Sequence, residues 1–152
     1  MRFLAECFLT DADVLRALPC PYEVRLLYAD GFPPLYPPEW SNALCVQRRH
    51  LDRMAAGASD GDRLIGLAGC SAGCDTMWQI GVDVLPAYRR HGVAAASTSR
   101  LAAVVMARGL VPFYCCAWPN IASARNAIRS GFRPAWVQAT ARNAAFVDDI
   151  NR

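Results

Sequence analysis

Residues 88–97, "YRRHGVAAAS", place three basic side chains immediately before a glycine and an alanine-rich segment. The N-terminus of a helix already carries partial positive charge, so basic side chains gathered there indicate that an anion is bound. Gly92 and Ala94 are small, and backbone N–H groups beside them can approach an oxyanion closely. Arg89 and Arg90 can add charge-assisted hydrogen bonds. These residues predict a turn that binds a phosphate or a pyrophosphate.

Three kinds of phosphate-binding loop lie between a strand and a helix, and the residues present distinguish them. A Walker loop needs a lysine, and all 16 basic residues of this chain are arginine. A dinucleotide fingerprint needs three glycines and an acidic residue about twenty positions later. Here the turn has one glycine, and no Asp or Glu follows before residue 148. The third pattern, Q/R-x-x-G-x-G/A, is satisfied by residues 89–94.

Acidic and basic residues are unevenly distributed along the chain. No Asp or Glu lies between Val84 and Val147, and such an acid-free half attracts anions. Two other interpretations stay open: a solvated surface in a lysine-poor protein, and an arginine face that docks RNA or an acidic protein. A net charge of +3 is modest for nucleic-acid binding, and no basic run alternates with aromatic residues. The arginines of this half are Arg89, Arg90, Arg100, Arg108, Arg125, Arg129, Arg133 and Arg142.

Length and composition favour one globular domain. The chain has 152 residues, of which 54% are hydrophobic and 19% charged. Glu6 and Asp11 interrupt the apolar start, and no apolar run is long enough for a membrane span. We therefore expect a cytoplasmic protein that does not bind a membrane. Cys70 and Cys74 lack a second pair at ligand spacing, so we expect buried thiols and no metal.

The elements that position the turn follow from periodicity and capping signals. Two helices are predicted before residue 52, in "TDADVLRALP" and in "PEWSNALCVQRRHL", with three strands of a meander over residues 52–85. A helix over 93–108, a strand over 110–118, a helix after Asn120 and a strand over 132–141 follow. In the second of these helices, Ile121, Ala124 and Ile128 are predicted to share an apolar face.

Two segments in the right order resemble signatures of the GNAT superfamily of N-acetyltransferases. "VDVLPAYRRHGVA" is similar to its acetyl-CoA-binding segment, and "WPNIASARNAIRSGF" is similar to its second signature. The resemblance covers residues 52–141. It implies an α+β fold with a central mixed, mostly antiparallel sheet flanked by helices. It also implies one domain over 1–152, with a helical acceptor-side segment over 1–50 and a cofactor-binding core over 52–141.

The resemblance implies acetyl-CoA as co-substrate and assigns its contacts. The backbone of Val82, Asp83 and Val84 would bond the pantetheine arm like an added strand. Asn120 would contact the cofactor and Ser123 would be a second contact; the less favoured alternative for Asn120 is a helix cap alone. His91 is expected to be a solvated loop residue or a phosphate contact. The pyrophosphate would be held by the backbone amides of Arg89, Arg90, His91, Gly92, Val93, Ala94 and Ala95.

The implied reaction is direct attack of a primary amine on the thioester in a ternary complex. Many relatives carry a carboxylate where this chain has Trp78 and Gln79, which leaves Asp83 as the only acidic residue on that strand. Strand alternation turns Asp83 away from the side of Val82 and Val84, which favours a structural role.

The acid that protonates the leaving thiolate is also open. Many relatives have a tyrosine where this chain has Ala127, so Tyr114 and Tyr88 are the fallback candidates, although both suit packing. Cys115 and Cys116 lie on an apolar strand, and their thiols are expected to be protonated and inert.

The acceptor and partners are the least defined. Aromatic residues at Phe32, Tyr36 and Trp40 suggest an apolar acceptor, but closing the core is the preferred interpretation. A catalytically weak acetyl-CoA sensor is the alternative to an enzyme, and a homodimer is compatible with either.

Overall fold

Seven strands form one mixed sheet in the computed structural model, which describes residues 2–141 and 143–150. The strand order is β2-β3-β4-β5-β6-β1-β7, and the neighbours are antiparallel except for the parallel pair β5–β6. The predicted α+β fold with a mixed, mostly antiparallel sheet is therefore confirmed. The strands are β1 (Arg2–Leu9), β2 (Glu23–Tyr28), β3 (Asp52–Asp60), β4 (Arg63–Ser71), β5 (Met77–Val84), β6 (Val111–Ala117) and β7 (Arg133–Ala141).

Three α-helices accompany the sheet in the part of the chain that is described, together with short 3₁₀ turns. The helices are α1 (Val93–Ala107), α2 (Ile121–Arg129) and α3 (Ala144–Ile150). The 3₁₀ turns are Ala29–Gly31, Pro33–Leu35, Pro38–Trp40, Val46–Leu51 and Pro86–Tyr88. The strands of the meander, both long helices and the strands β6 and β7 agree with the sequence prediction.

The larger core lies between α1 and one face of the sheet. Leu101 and Val105 of α1 are fully buried and share a cluster with Phe8, Ile80 and Tyr114 from three adjacent strands. Each such buried side chain stabilises the fold by about 1.5–3 kcal/mol, so this cluster fixes α1 against the sheet.

The opposite face of the sheet is covered by the segment 29–51. Phe32 and Trp40 are buried there, and Tyr36 packs against the same cluster. The preferred interpretation of these aromatic residues as core residues is thus confirmed. Gly69 and Gly81 face each other on β4 and β5, and a side chain at either would overlap the backbone at Asn42 or Ala43. Their lack of a side chain lets the segment lie directly on the sheet.

The predicted helical segment over residues 1–50 is wrong. It contains the strands β1 and β2, with only short 3₁₀ turns between β2 and β3. The Asp11 side chain accepts hydrogen bonds from the amides of Asp13 and Val14, which closes a local turn. The Arg16 amide then donates to the Ser130 carbonyl at 2.9 Å, so no helix continues.

The predicted second helix fails because its amides bind carboxylates of the sheet. Asn42 and Ala43 donate to Asp83, and Cys45 donates to Asp52. These donors are therefore not available for helical bonds.

The apolar face predicted for α2 is also wrong. Ile121 and Ile128 are exposed, at 57% and 53%, whereas Ala127 is buried. The side of α2 that faces the core carries Ala127, which is buried in the larger core cluster, and Ala124, which packs against it.

Candidate functional site

A cleft opens where β5 and β6 separate. The two strands pair only from Met77 opposite Val111 to Ile80 opposite Tyr114, although β5 continues to Val84 and β6 continues to Ala117. The separated ends of the strands line a cavity of about 1170 Å³. The backbone of β5 beyond Ile80 therefore has an edge towards β6 that no strand covers.

The predicted anion-binding turn lies at one end of this cleft. Arg90 and Gly92 both have positive φ, 67° and 80°, which turns the chain sharply into α1. Ala96 makes the first intrahelical bond, to the Gly92 carbonyl, and no side chain caps the helix. The amides of the first turn, residues 93–95, therefore precede the hydrogen-bond ladder and can bind an anion.

Four arginines that line the cleft add positive charge to this turn. Arg89 and Arg90 come from the turn itself, and Arg125 and Arg129 come from α2. All four side chains are exposed. The one ion pair within residues 2–141 and 143–150 joins Arg25 and Glu23, so none of the four arginines is in an ion pair there. The Arg89 Nε donates to the Val84 carbonyl at 3.3 Å, which ties the turn to the end of β5. The geometry suits a ligand with several negative charges.

A hydrogen-bonded group of side chains from β6 and α2 lies further into the cleft. The Asn120 Oδ1 accepts from the Ser123 amide at 3.1 Å, so Asn120 is the N-cap of α2. The hydroxyls of Tyr114 and Ser123 are 2.7 Å apart, and the Asn126 amide donates to Tyr114 at 3.5 Å. Burial raises the pKa of Tyr114, so its hydroxyl is a proton donor at neutral pH.

The carboxylate of Asp83 is occupied by structural contacts. Its Oδ2 accepts from the Asn42 and Ala43 amides at 2.8 and 2.9 Å, and its Oδ1 accepts from the Asn42 side chain at 2.6 Å. These three bonds hold the segment 29–51 on β5. The contacts of Asp83 in the structure are thus to the segment 29–51, and its role stays a prediction.

The other fallback groups are also engaged. The Tyr88 hydroxyl donates to Asp60 at 2.9 Å, and this bond raises the pKa of Tyr88. Burial raises the pKa of the Cys115 and Cys116 thiols, so both are protonated at neutral pH.

The end of the cleft away from the turn contains a buried carboxylate. Asp52 is only 3% exposed, and its Oδ2 accepts from the Tyr36 hydroxyl at 2.9 Å and from the Cys45 amide at 3.2 Å. Burial, and then the bond to Asp52, raise the pKa of Tyr36 to about 12, so Tyr36 stays a donor. Burial also raises the pKa of Asp52, against the opposing effect of the bonds from Tyr36 and Cys45.

Two polar atoms at this end have no partner among the described residues. They are the Oδ1 of Asp52 and the Oγ of Ser71, and both residues line the cleft. Sequence reasoning missed both. The one sequence feature that could have indicated Asp52 is its position as the first residue of β3, a strand whose other buried residues are small or apolar.

The structure brings the sequence-predicted site residues into one cleft, with one exception. His91 is exposed and does not line the cavity. Those that line it are Val82, Asp83, Val84, Tyr88, Arg89, Arg90, Gly92, Val93, Ala94, Ala95, Tyr114, Asn120 and Ser123.

The described residues contain no group of three or more His, Cys, Asp or Glu side chains that could hold a metal ion. Across the same residues, every helix is too short or too polar to cross a bilayer.

Comparison with known proteins identifies relatives. A family model described as the acetyltransferase (GNAT) family matches residues 22–132. A GNAT-family protein from Novosphingobium aromaticivorans has a TM-score of 0.70 and 21% identity, over 91% of this chain and 63% of its own. A GCN5-related N-acetyltransferase-like protein from Streptococcus suis has a TM-score of 0.69 and 19% identity, over 91% and 60%.

A third solved structure is an acetyltransferase from the GNAT family of Colwellia psychrerythraea, with a TM-score of 0.64 and 14% identity, over 91% of this chain and 55% of its own. At such low sequence identities, the similarity shows a shared fold only. The chain spans less than two thirds of the length of these three proteins. No curated protein matches the chain by sequence.

Proposed function

The chain belongs to the GNAT family of acetyltransferases, and from that membership we propose that it transfers the acetyl group of acetyl-CoA to a primary amine. One observation carries the proposal: the turn with free first-turn amides and four arginines lies at the mouth of the cleft between β5 and β6. Coenzyme A carries its negative charge on its phosphates, and its thiol is at the end of a long neutral arm. The cleft has the same division, with arginines at the turn and an apolar strand edge beyond it.

Each part of the cleft then has a task. The amides of residues 93–95 and the side chains of Arg89 and Arg90 bind the pyrophosphate. The uncovered edge of β5 beyond Ile80 offers backbone groups to the amides of the pantetheine arm, as an added strand would receive them. A backbone N–H of the same edge polarises the thioester carbonyl. The segment 29–51 borders the side from which the acceptor enters.

In the reaction, the amine nitrogen forms a bond to the acetyl carbon while the bond from that carbon to sulfur breaks. The proton lost by the nitrogen is balanced by the proton that the departing thiolate gains. The protonated hydroxyl of Tyr114, held by Ser123 and Asn126, is the donor best placed in the cleft for the thiolate. Asp83 is not proposed as the base because its oxygens already accept three hydrogen bonds.

The proposal is tested in two steps. Thermal unfolding is measured with acetyl-CoA, with desulfo-CoA and with ATP. A ligand at a hundred times its dissociation constant should stabilise the protein by roughly 2.7 kcal/mol. Release of free thiol from acetyl-CoA is then measured with a panel of amines, and Tyr114→Phe should slow it without changing the binding of acetyl-CoA.

The outcomes separate the candidate functions. Stabilisation by the CoA compounds with no amine-dependent thiol release would indicate an acetyl-CoA sensor. The sensor is the second candidate because the oxygens of Asp83 already accept hydrogen bonds and Asp83 is not proposed as a catalytic base. Salt-dependent binding to RNA with no response to CoA would contradict both.

A further inference from the structure

The carboxylate of Asp52 has one buried oxygen without a partner. Its Oδ2 is fixed by Tyr36 and Cys45, and Tyr36 is itself held under the guanidinium of Arg49 at 4.3 Å. Its Oδ1 is buried and has no partner among the described residues, and the same is true of the Oγ of Ser71, the register neighbour of Asp52 on β4. A buried carboxylate oxygen without a partner is costly, and a bound ligand is a sufficient reason to keep it.

The charge of the cleft indicates what this oxygen binds. Among the described residues that line the cleft, the carboxylates are those of Asp52 and Asp83, and Asp83 is occupied. The other charged side chains of the lining are arginines, including the exposed Arg48 near Asp52. For a cationic group in the cleft, the carboxylate oxygen without a partner is therefore the buried Oδ1 of Asp52, at the end remote from the turn.

Sheet register gives the separation between Asp52 and β5. Asp52, Ser71 and Gln79 are successive register partners across β3, β4 and β5, so they form a row on one face. Neighbouring side chains in such a row are about 5 Å apart at Cβ, which places Asp52 roughly 10 Å from β5. A nucleophile must come within about 3.5 Å of the carbon it attacks. The nitrogen bound at Asp52 is thus too far away to be the one acetylated on the far edge of β5.

We propose that the Oδ1 of Asp52 and the Oγ of Ser71 bind a second, cationic nitrogen of the acceptor. This proposal rests on the proposed function, and it makes the acceptor a diamine or a longer polyamine. The nitrogen to be acetylated enters the fork between β5 and β6, and the other nitrogen remains protonated two strands away.

The test compares 1,5-diaminopentane with n-pentylamine, which share a chain length and differ in the second nitrogen. Thiol release is measured for the wild type, for Asp52→Asn and for Asp62→Asn, a matched control in the exposed β3–β4 turn. Asparagine can keep the bonds from Tyr36 and Cys45 on its oxygen while it turns an amide towards the cleft. We expect wild type and Asp62→Asn to favour the diamine in kcat/KM by roughly tenfold or more, as a charge-assisted bond allows. Asp52→Asn should lower the diamine to the level of the monoamine and leave the monoamine unchanged.

Equal loss for both amines in Asp52→Asn, or no preference for the diamine in the wild type, would overturn the proposal. Calorimetric titration of 1,5-diaminopentane into the CoA-saturated protein gives a second measurement that needs no turnover. If no amine releases thiol, the proposed function fails, but weaker binding of the diamine to Asp52→Asn than to wild type still supports the subsite. Equal binding by the two proteins refutes it.

Discussion

Replacement of Gly92 by aspartate tests whether the first turn of α1 is the anion site. At φ of 80° a non-glycine residue costs about 1 kcal/mol. A side chain there meets the Pro19 carbonyl oxygen at 3.4 Å, which is an ordinary contact. Aspartate tolerates a left-handed backbone better than most residues, which keeps this cost near its lower limit. We therefore expect a melting temperature within about 3 °C of the wild type.

The same substitution should remove the ligand site. The carboxylate is introduced next to the first-turn amides that are proposed to bind the pyrophosphate. Its charge would lie within about 5 Å of the phosphates, which costs at least about 2 kcal/mol at intermediate screening. The dissociation constant for CoA should rise by about thirtyfold or more. Isothermal titration at low salt measures it. Gly92→Asn is the control, because it has nearly the same shape and no charge, and its loss should be smaller. If Gly92→Asp binds CoA within about threefold of the wild type, the turn does not hold the diphosphate.

Three further predictions concern charged residues of the cleft. Arg89→Glu should weaken CoA binding by about tenfold or more without loss of fold, whereas the exposed Arg133→Glu on β7 should not, by the same titration. Asp83→Ala should lower the free energy of unfolding by about 2–4 kcal/mol in urea, because the amides of Asn42 and Ala43 lose their acceptor. The pKa of Asp52 is raised in the fold above 3.8, so the wild type loses stability as pH rises from that value through the folded pKa. Asp52→Asn lacks this loss, and its urea midpoint should exceed that of the wild type at pH 8 and approach it at acid pH; a constant difference across the range would contradict this reasoning.

The site could be predicted from the sequence where one local motif encodes it. The turn at Arg89–Ala95 and the cap at Asn120 depend on residues close in the chain, and their small side chains and spacing were enough. The coarse fold followed from the meander and the two long helices for the same reason.

Contacts between residues that are distant in the chain could not be predicted from the sequence. The amides of Asn42 and Ala43 donate to a carboxylate on β5, about forty positions away in the chain. No local sequence pattern indicates that these residues will not form a helix. β1 lacks clear alternation because its consecutive residues Cys7 and Phe8 are both fully buried, at an irregularity in the register with β7. The surroundings of Asp52 include Tyr36 and Ser71, which are distant in the chain and are brought near Asp52 only by the fold.

The position of β1 in the sheet has a consequence for how the molecule is made. Its residues pair with β6 on one side and with β7 on the other, so β1 leaves the ribosome about a hundred residues before either of its partners and has no partner in that interval. Contacts so distant along the chain slow folding, and an unpaired apolar strand is exposed to aggregation in the interval. β7 in turn has β1 as its one neighbour in the described sheet. Changes that weaken β1 should therefore reduce the yield of folded protein during synthesis more than they reduce the stability of molecules already folded.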